Sequence, residues 1–365
     1  MSEADDRLLP RRRPLRRAAA WTAAVAVAAG AVFWVSGGWD AWRHDAALDS
    51  ACDGDLAAGE LRDLLDGAEV TASGGPGERA WWCRVRGADD EDGRVRLDLS
   101  VRRASAPAAG VDANREDAPL GHGWTGSFGF SPDGDADDRG EARVTVMLDC
   151  GAEPGDGLVA SVSTRIDRAD FSRAAERDRL TAVLTGTVVS YAHRTGCEAA
   201  PGRPVKDVGM SVTSWDHRPF AEVSGSCAGV LDAATAARWG VRTAVETVPG
   251  PKPVEGCALG GTAGAPLYGF TAFYGPFLGL KGMEQRDDAR LAGEHRDGRY
   301  MLAASCPGAG GKAVYEVTSR TGEGHASVLA LDHPGLRAAL RRFAERSAEA
   351  HGCEVPKASS AVSGR

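Results

Sequence analysis

The chain contains the same arrangement of cysteines twice, and this internal repetition constrains its fold more than any other feature. Cys150 and Cys197 are 47 positions apart, and Cys306 and Cys353 are also 47 positions apart. A strand pattern follows the first cysteine of each pair, and a helical pattern precedes the second. Repetition of this kind predicts two units of the same fold in tandem.

Three motifs recur in the same order in the two copies. Cys-x-Gly-x-Leu-x-Ala begins at Cys52 and again at Cys227, and Val-x-x-Val-x-x-Arg ends at Arg165 and again at Arg320. The tripeptide Gly-Cys-Glu closes each copy. These matches predict a first module over residues 51–202, a connector over 203–224, a second module over 225–357 and a disordered tail over 358–365.

The hydrophobic periodicity predicts an α+β fold. Residues 94–102 alternate between apolar and polar side chains, which indicates a half-buried strand. A stripe of apolar residues spaced as on a helix ends at Gly196, where a helix-terminating glycine belongs. Pro334 suits the first turn of the last helix. Each module should therefore consist of an antiparallel sheet with an opening and a closing helix, and residues 267–280 should form strand, turn and strand.

All eight cysteines lie in the two modules, four in each. An even number of cysteines predicts disulfides in an oxidising compartment, and no two cysteines have the close spacing of a zinc site. Pairing the first with the second and the third with the fourth keeps the closed loops nearly constant between copies. The predicted bonds are Cys52–Cys83, Cys150–Cys197, Cys227–Cys257 and Cys306–Cys353.

The N-terminal region has the pattern of a membrane anchor. Residues 1–17 form a basic tail, and residues 18–39 are 22 uncharged positions, which would span roughly 33 Å as a helix. The positive charges predict that the tail is cytoplasmic, that residues 40–50 are a spacer and that the modules are extracytoplasmic. A cleaved signal peptide with a small-residue site at Ala31 is the alternative, and it places the modules in the same compartment.

The sequence lacks the signals that are typical of several functional classes. The net charge of -8 disfavours nucleic-acid binding, and neither H-E-x-x-H nor G-x-S-x-G occurs. We therefore predict no catalytic residue, metal site or cofactor. The acidic run that begins at Asp133 has Asp138 where a calcium loop needs glycine and Val144 where it needs glutamate. A solvated turn is the favoured interpretation of this run, with weak calcium binding left open.

Arg165 and Arg320 occupy equivalent strand ends in the two copies. Exposed charges are the ordinary interpretation of arginines at strand ends. A ligand contact shared by the two copies is the alternative interpretation.

The N-terminus and the cysteine motifs together resemble those of uncharacterised membrane-anchored or secreted proteins of Streptomyces and its relatives. The features are the arginine-rich start, one apolar segment, and Cys-x-Gly-x-Leu followed by Trp81-Trp82-Cys83. Each half loosely resembles an actinobacterial lipoprotein domain of unknown function. The chain departs from that pattern because it is doubled, and because Cys52 follows Asp49-Ser-Ala where a lipobox would need an aliphatic residue. The resemblance implies a cell-surface location and no particular activity.

Two functional hypotheses follow. In the first, the chain is a single-pass cell-membrane protein whose two modules bind an unknown envelope protein or wall component without catalysis. In the second, it is an envelope hydrolase whose site forms between the modules. A cleft that holds a base within hydrogen-bond reach of a Ser or Asp would favour the hydrolase.

Overall fold

The computed structural model describes residues 38–88, 93–106, 113–130, 139–281, 293–295, 299–319 and 332–357. The chain forms two compact units, residues 1–50 and residues 51–365. In the first unit the structure describes one helix, α1 (Gly38–Ser50). No helix in the described ranges is long and apolar enough to cross a membrane. The predicted span over residues 18–39 lies outside those ranges except for its last two positions, so it remains a prediction.

The first module contains one seven-stranded antiparallel sheet with the strand order β1-β2-β3-β7-β6-β5-β4. Helix α2 (Ala58–Leu64) opens the module, and α3 (Ala174–Thr195) closes it. The strands are β1 (Val70–Pro76), β2 (Trp81–Gly87), β3 (Val95–Arg103), β4 (Ala118–Pro119), β5 (Thr125–Phe130), β6 (Glu141–Asp149) and β7 (Gly157–Ile166).

The second module contains a second seven-stranded antiparallel sheet, with the order β12-β13-β14-β11-β10-β9-β8. Its helices are α4 (Ala233–Arg238) and α5 (His333–Ala350). The strands are β8 (Arg218–Pro219), β9 (Thr243–Glu246), β10 (Val254–Gly260), β11 (Pro266–Tyr274), β12 (Gly293–His295), β13 (Arg299–Ser305) and β14 (Lys312–Ser319).

The two sheets share the same order over six strands, and their cysteines define a common register. Cys83 pairs with Leu99, which pairs with Val162. In the second sheet Cys257 pairs with Phe270, which in turn pairs with Val317. Strands β1, β2, β3, β7, β6 and β5 thus correspond to β9, β10, β11, β14, β13 and β12. The seventh strand is added at opposite edges, as β4 in the first sheet and β8 in the second.

The four disulfides join the pairs that the cysteine spacing predicts, with Cα separations between 4.0 and 5.6 Å. In each module one bond links the segment before the opening helix to the second equivalent strand. The other bond links the end of a central strand to the segment after the closing helix. The bonds are Cys52–Cys83, Cys150–Cys197, Cys227–Cys257 and Cys306–Cys353.

The closing helices bury the apolar stripes that the sequence predicts. On α3, Leu180, Leu184 and Val188 are fully buried, and Gly196 ends the helix in a left-handed conformation. On α5, Leu336 and Leu340 occupy the corresponding positions and are also buried. Each such side chain contributes about 1.5–3 kcal/mol when it is removed from water. The helices therefore cover one face of each sheet, here called the inner face, and the opposite face is called the outer face.

One expectation about chain organisation is corrected. Residues 275–281 form a 3₁₀ helix and not the second strand of a strand–turn–strand unit. Gly275 has a positive φ there, and Pro276 has no N–H to donate to a neighbouring strand. The predicted connector, residues 203–224, contacts both modules and contributes one strand, β8. Ser211 donates to the carbonyl of Phe128 in the first module, whereas β8 joins the second sheet.

The modules meet through equivalent hairpin loops, β6–β7 in the first module and β13–β14 in the second. The backbone N–H of Gly155 donates to the carbonyl of Gly308 at 2.8 Å. Asp149 accepts a hydrogen bond from the N–H of Ala309 at 2.7 Å. Beside this contact, Val159 and its equivalent in the second sheet, Val314, belong to one buried cluster. The two modules consequently share part of their hydrophobic core.

A buried lysine makes a further link between the modules. Lys252, 1% exposed, donates from Nζ to the carbonyl of Arg115 at 2.7 Å and to that of Asp117 at 2.6 Å. Burial lowers the pKa of Lys252 from 10.5 to about 8, although the charge of Asp117 opposes this change. The folded protein therefore releases this proton at a lower pH than the unfolded chain does.

We expect this lysine to make stability rise with pH. Below about pH 8 the lysine is charged in both states, and the folded state bears the desolvation of the charge. Between about pH 8 and pH 10.4 only the unfolded chain keeps the proton, so the free energy of unfolding should increase by up to about 3 kcal/mol. The measurement is denaturant unfolding of wild type and Lys252→Met across this range. A stability difference between the two proteins that does not change with pH would contradict the expectation.

Candidate functional site

The outer face of the first sheet carries three rows of polar side chains that lie next to one another across the strands. Because side chains alternate along a strand, these residues point away from the helices. The rows are Trp82–Ser100–Ser161–Thr145, Arg84–Asp98–Ser163–Arg143 and Arg86–Arg96–Arg165–Glu141. We call this surface the arginine face. The first two rows and Arg96 line a groove of about 520 Å³.

The arginine face is cationic although the whole chain has a net charge of -8. Its rows contain five arginines and two carboxylates, Asp98 and Glu141, and a third carboxylate, that of the buried Asp117, forms an ion pair with Arg143. Arg86, Arg96 and Arg165 are direct neighbours on three adjacent strands. Like charges in this position destabilise a sheet. An anionic ligand would remove that repulsion.

Asp98 fixes the positions of the two arginines beside it. It accepts from Nε of Arg84 at 2.6 Å and from Nε of Arg96 at 2.5 Å. Partial burial acts to raise the pKa of Asp98, but the hydrogen bonds and charges of both arginines outweigh it and lower that pKa. The Nη groups of both guanidiniums make no hydrogen bond to another residue in the described ranges. Both guanidiniums are thus held in place through Nε, and that of Arg84 also lies over the ring of Trp82, with Cζ 6.0 Å from the ring centroid.

A tryptophan and two serines complete the groove. Trp82 is 44% exposed, whereas its neighbour Trp81 is buried on the inner face. The hydroxyls of Ser100 and Ser161 are 2.9 Å apart and form a hydrogen bond. An exposed indole beside fixed hydroxyls and guanidiniums offers a flat apolar surface and directed hydrogen bonds. This combination is typical of a ligand-binding surface.

The second sheet keeps an arginine, Arg299, at the position equivalent to Arg143, but it lacks the tryptophan, the aspartate and the arginines beside them. Gly256 replaces Trp82, Gly269 replaces Asp98, and Ala258 and Leu267 stand where the first sheet has arginines. Arg115 of the first module lies across the two glycines, and a Cβ on Gly256 would come within 2.5 Å of the Arg115 Cβ. The glycines therefore allow the first module to cover the outer face of the second sheet at this point.

A buried polar cluster lies between the second sheet and α5. Ser347 donates to Oε2 of Glu255 at 2.5 Å, and Nε2 of His351 donates to Oε1 of the same carboxylate at 2.9 Å. The Tyr274 hydroxyl is 2.6 Å from Ser347 and donates to it. Burial, with the charge of Glu255, raises the pKa of Tyr274 well above its usual value, so this phenol stays protonated.

This cluster does not have the arrangement of a serine hydrolase. In a catalytic triad the histidine contacts the serine, whereas here the carboxylate of Glu255 separates Ser347 from His351. The adjoining cavity is about 70 Å³. The equivalent positions in the first module hold the aromatic pair Trp81 and Tyr191. The cluster thus replaces an aromatic contact between sheet and helix.

A groove of about 510 Å³ lies between the modules. Its walls consist mainly of small and apolar residues, with Ser105 and Ser305 among them. Lys312 is the one ionisable side chain among the described residues that line it, so neither serine faces a carboxylate or an imidazole there. Nothing in this groove favours the hydrolase hypothesis.

The structure places the other singled-out residues as follows. All eight cysteines are in disulfides. Arg165 lies on the arginine face and pairs with Glu141 at 2.6 Å, while Arg320 lies outside the described residues. The acidic run from Asp133 to Asp138 is also outside them. Within the described ranges, no group of three or more His, Cys, Asp or Glu side chains could hold a metal ion.

No protein-family model matches the chain, and searches of curated proteins and solved structures found no significant similarity. The second module therefore provides the comparison for the first. Between two sheets of common register, the second replaces Trp82, Arg84, Arg96 and Asp98 by glycine, alanine or leucine and keeps an arginine, Arg299, where the first has Arg143. The fold does not require the four replaced side chains, so they are the strongest candidates for function.

Proposed function

We propose that the chain is a single-pass, extracytoplasmic binding protein of the cell envelope that acts without catalysis, and that its ligand binds to the arginine face. One observation carries this proposal. Of two modules with the same fold and register, the first presents an open groove lined with arginines, and the second has glycines there, covered by Arg115. In this proposal the second module, which arose by duplication, has the structural role of supporting the first module.

The compartment is proposed from the cysteines. All eight form disulfides, and such bonds persist in oxidising surroundings outside the cytoplasm. The arginine-rich tail and the apolar run over residues 18–39 add the anchor and its orientation.

We expect a reporter that is active only outside the cytoplasm to be active when fused after Arg365. The expected activity follows from the charge asymmetry around residues 18–39, which keeps the tail inside. The control is a fusion after residue 17, where the same reporter should be inactive. Activity of a cytoplasmic reporter after Arg365 would contradict both the anchor and the oxidising compartment.

Binding can be tested without knowing the ligand by blocking the groove. The full chain, purified in detergent, is sedimented with isolated actinobacterial wall fragments. Ser163→Trp places a large side chain in the centre of the arginine face, and it should lower the bound fraction at least tenfold. Ala175→Trp adds the same bulk to an exposed position on α3 and should bind like wild type. Equal binding by wild type and Ser163→Trp would refute the arginine face as the binding surface.

A further inference from the structure

We propose that the ligand of the arginine face is an anionic saccharide, with its phosphate or carboxylate held by Arg84 and Arg96 and a sugar ring packed against Trp82. This inference rests on the proposed function and specifies its ligand class.

The distribution of charge favours an anion. Arg86, Arg96 and Arg165 stand side by side with one carboxylate, Glu141, at the end of their row. Guanidinium groups bind phosphate and carboxylate through paired N–H donors. The Nε atoms of Arg84 and Arg96 donate to Asp98, which leaves their Nη donors for a ligand. Asp98 thus orients the two guanidiniums in advance. An incoming anion therefore does not have to order them.

The sugar ring is required by the groove beside that charge. Trp82 and Arg84 are two positions apart on β2 and project from the same face, about 7 Å apart along the strand. One sugar ring with a charged substituent can bridge that distance. The C–H face of the ring packs on the indole, and its hydroxyls exchange hydrogen bonds with Ser100 and Ser161. A bare anion would leave the indole of Trp82 unused.

The negative charge of the remaining surface limits the charge density of the ligand. Outside the arginine face the chain is acidic, because five of its arginines are concentrated on that one surface and the net charge is still -8. A long, densely charged chain such as a nucleic acid would meet repulsion beyond the groove. A saccharide with occasional charged groups would not. The groove of about 520 Å³ is also in the size range of small-molecule sites.

The test measures binding of the full chain to five immobilised probes: dextran phosphate, polygalacturonate, neutral dextran, sodium polyphosphate and an oligodeoxythymidine. We expect one or both charged glycans to bind at least tenfold more tightly than neutral dextran and polyphosphate. The two charged glycans distinguish phosphate from carboxylate. Arg96→Gln should weaken glycan binding about tenfold or more, because a charge-assisted hydrogen bond is lost. Trp82→Ala should weaken it about fivefold without changing the weak binding to polyphosphate.

Matched variants distinguish an effect of the arginine face from effects of overall charge and of exposed aromatic side chains elsewhere. Arg179→Gln removes one positive charge from α3, on the opposite side of the same sheet, and Trp215→Ala removes a tryptophan that is 77% exposed. Both should bind like wild type.

Four outcomes would overturn the proposal. They are no binding to either charged glycan, equal binding to polyphosphate, equal losses in Arg179→Gln and Arg96→Gln, and tighter binding to an oligodeoxythymidine. If Ser163→Trp still abolished binding to wall fragments, the proposed function would stand and only the ligand class would be wrong.

Discussion

Replacing Cys150 and Cys197 together by alanine should lower the free energy of unfolding by about 4 kcal/mol. The bond closes a loop between cysteines that are 47 positions apart in the sequence. The chain-entropy model gives a stabilisation of about 4 kcal/mol for a loop of this length. It also ties the end of β6 to the segment after α3, the helix that covers the inner face of the sheet. The measurement is guanidinium unfolding of the full chain under oxidising conditions.

The second module provides the matched comparison for this prediction. Cys306 and Cys353 close a loop of the same separation, 47 residues, so their removal should have a similar effect. Complete reduction is the control, since wild type and the Cys150/Cys197 variant then both lack the bond and should unfold alike. If the oxidised variant unfolded at the same denaturant concentration as wild type, the bond would not contribute to stability.

Replacing Glu255 by alanine should lower the free energy of unfolding by about 3 kcal/mol or more. The carboxylate is 8% exposed and accepts hydrogen bonds from Ser347 and His351. Removing the shared acceptor leaves two buried donors unpaired, which costs about 1–3 kcal/mol for each donor. Glu255→Gln keeps the shape and one acceptor, so its loss should be smaller.

An exposed ion pair serves as the control for Glu255. Glu141 and Arg165 are 2.6 Å apart, and their side chains are about half exposed. Glu141→Ala should therefore change the free energy of unfolding by less than about 1 kcal/mol. Both losses are read from denaturant unfolding of the full chain. An effect of Glu255→Ala as small as that of Glu141→Ala would show that Ser347 and His351 do not depend on the carboxylate.

The duplication, the disulfide pairs and the closing helices could be predicted because each leaves a local signal in the sequence. Cysteine spacing survives changes in loop length, and the stripe that ends at Gly196 has a helical period over many residues. Strand β1 left no such signal. Its residues, Val70–Pro76, include two glycines and a proline, and the strand depends on pairing with β2.

The arginine face could not be predicted because it is a property of register. Arg165 is far from Arg86 and Arg96 in the sequence, and the pairing of β2, β3 and β7 brings the three together. The repeated Val-x-x-Val-x-x-Arg motif does single out Arg165 as the equivalent of Arg320. The sequence alone, however, favours an ordinary exposed charge at this position. Gly256 and Gly269 carry no visible signal either, because their role depends on the approach of Arg115 from the other module.

The meeting of the two β-hairpin loops has a consequence for how many modules such a chain can contain. Gly155 and Gly308 lie in equivalent loops and contact each other, as equivalent patches do across the isologous interface of a two-fold dimer. An isologous contact uses the same patch on both partners and leaves neither free for a third. The chain thus contains within one polypeptide an interface that otherwise requires two subunits. The stoichiometry expected for the groove on the arginine face is therefore a single ligand per chain.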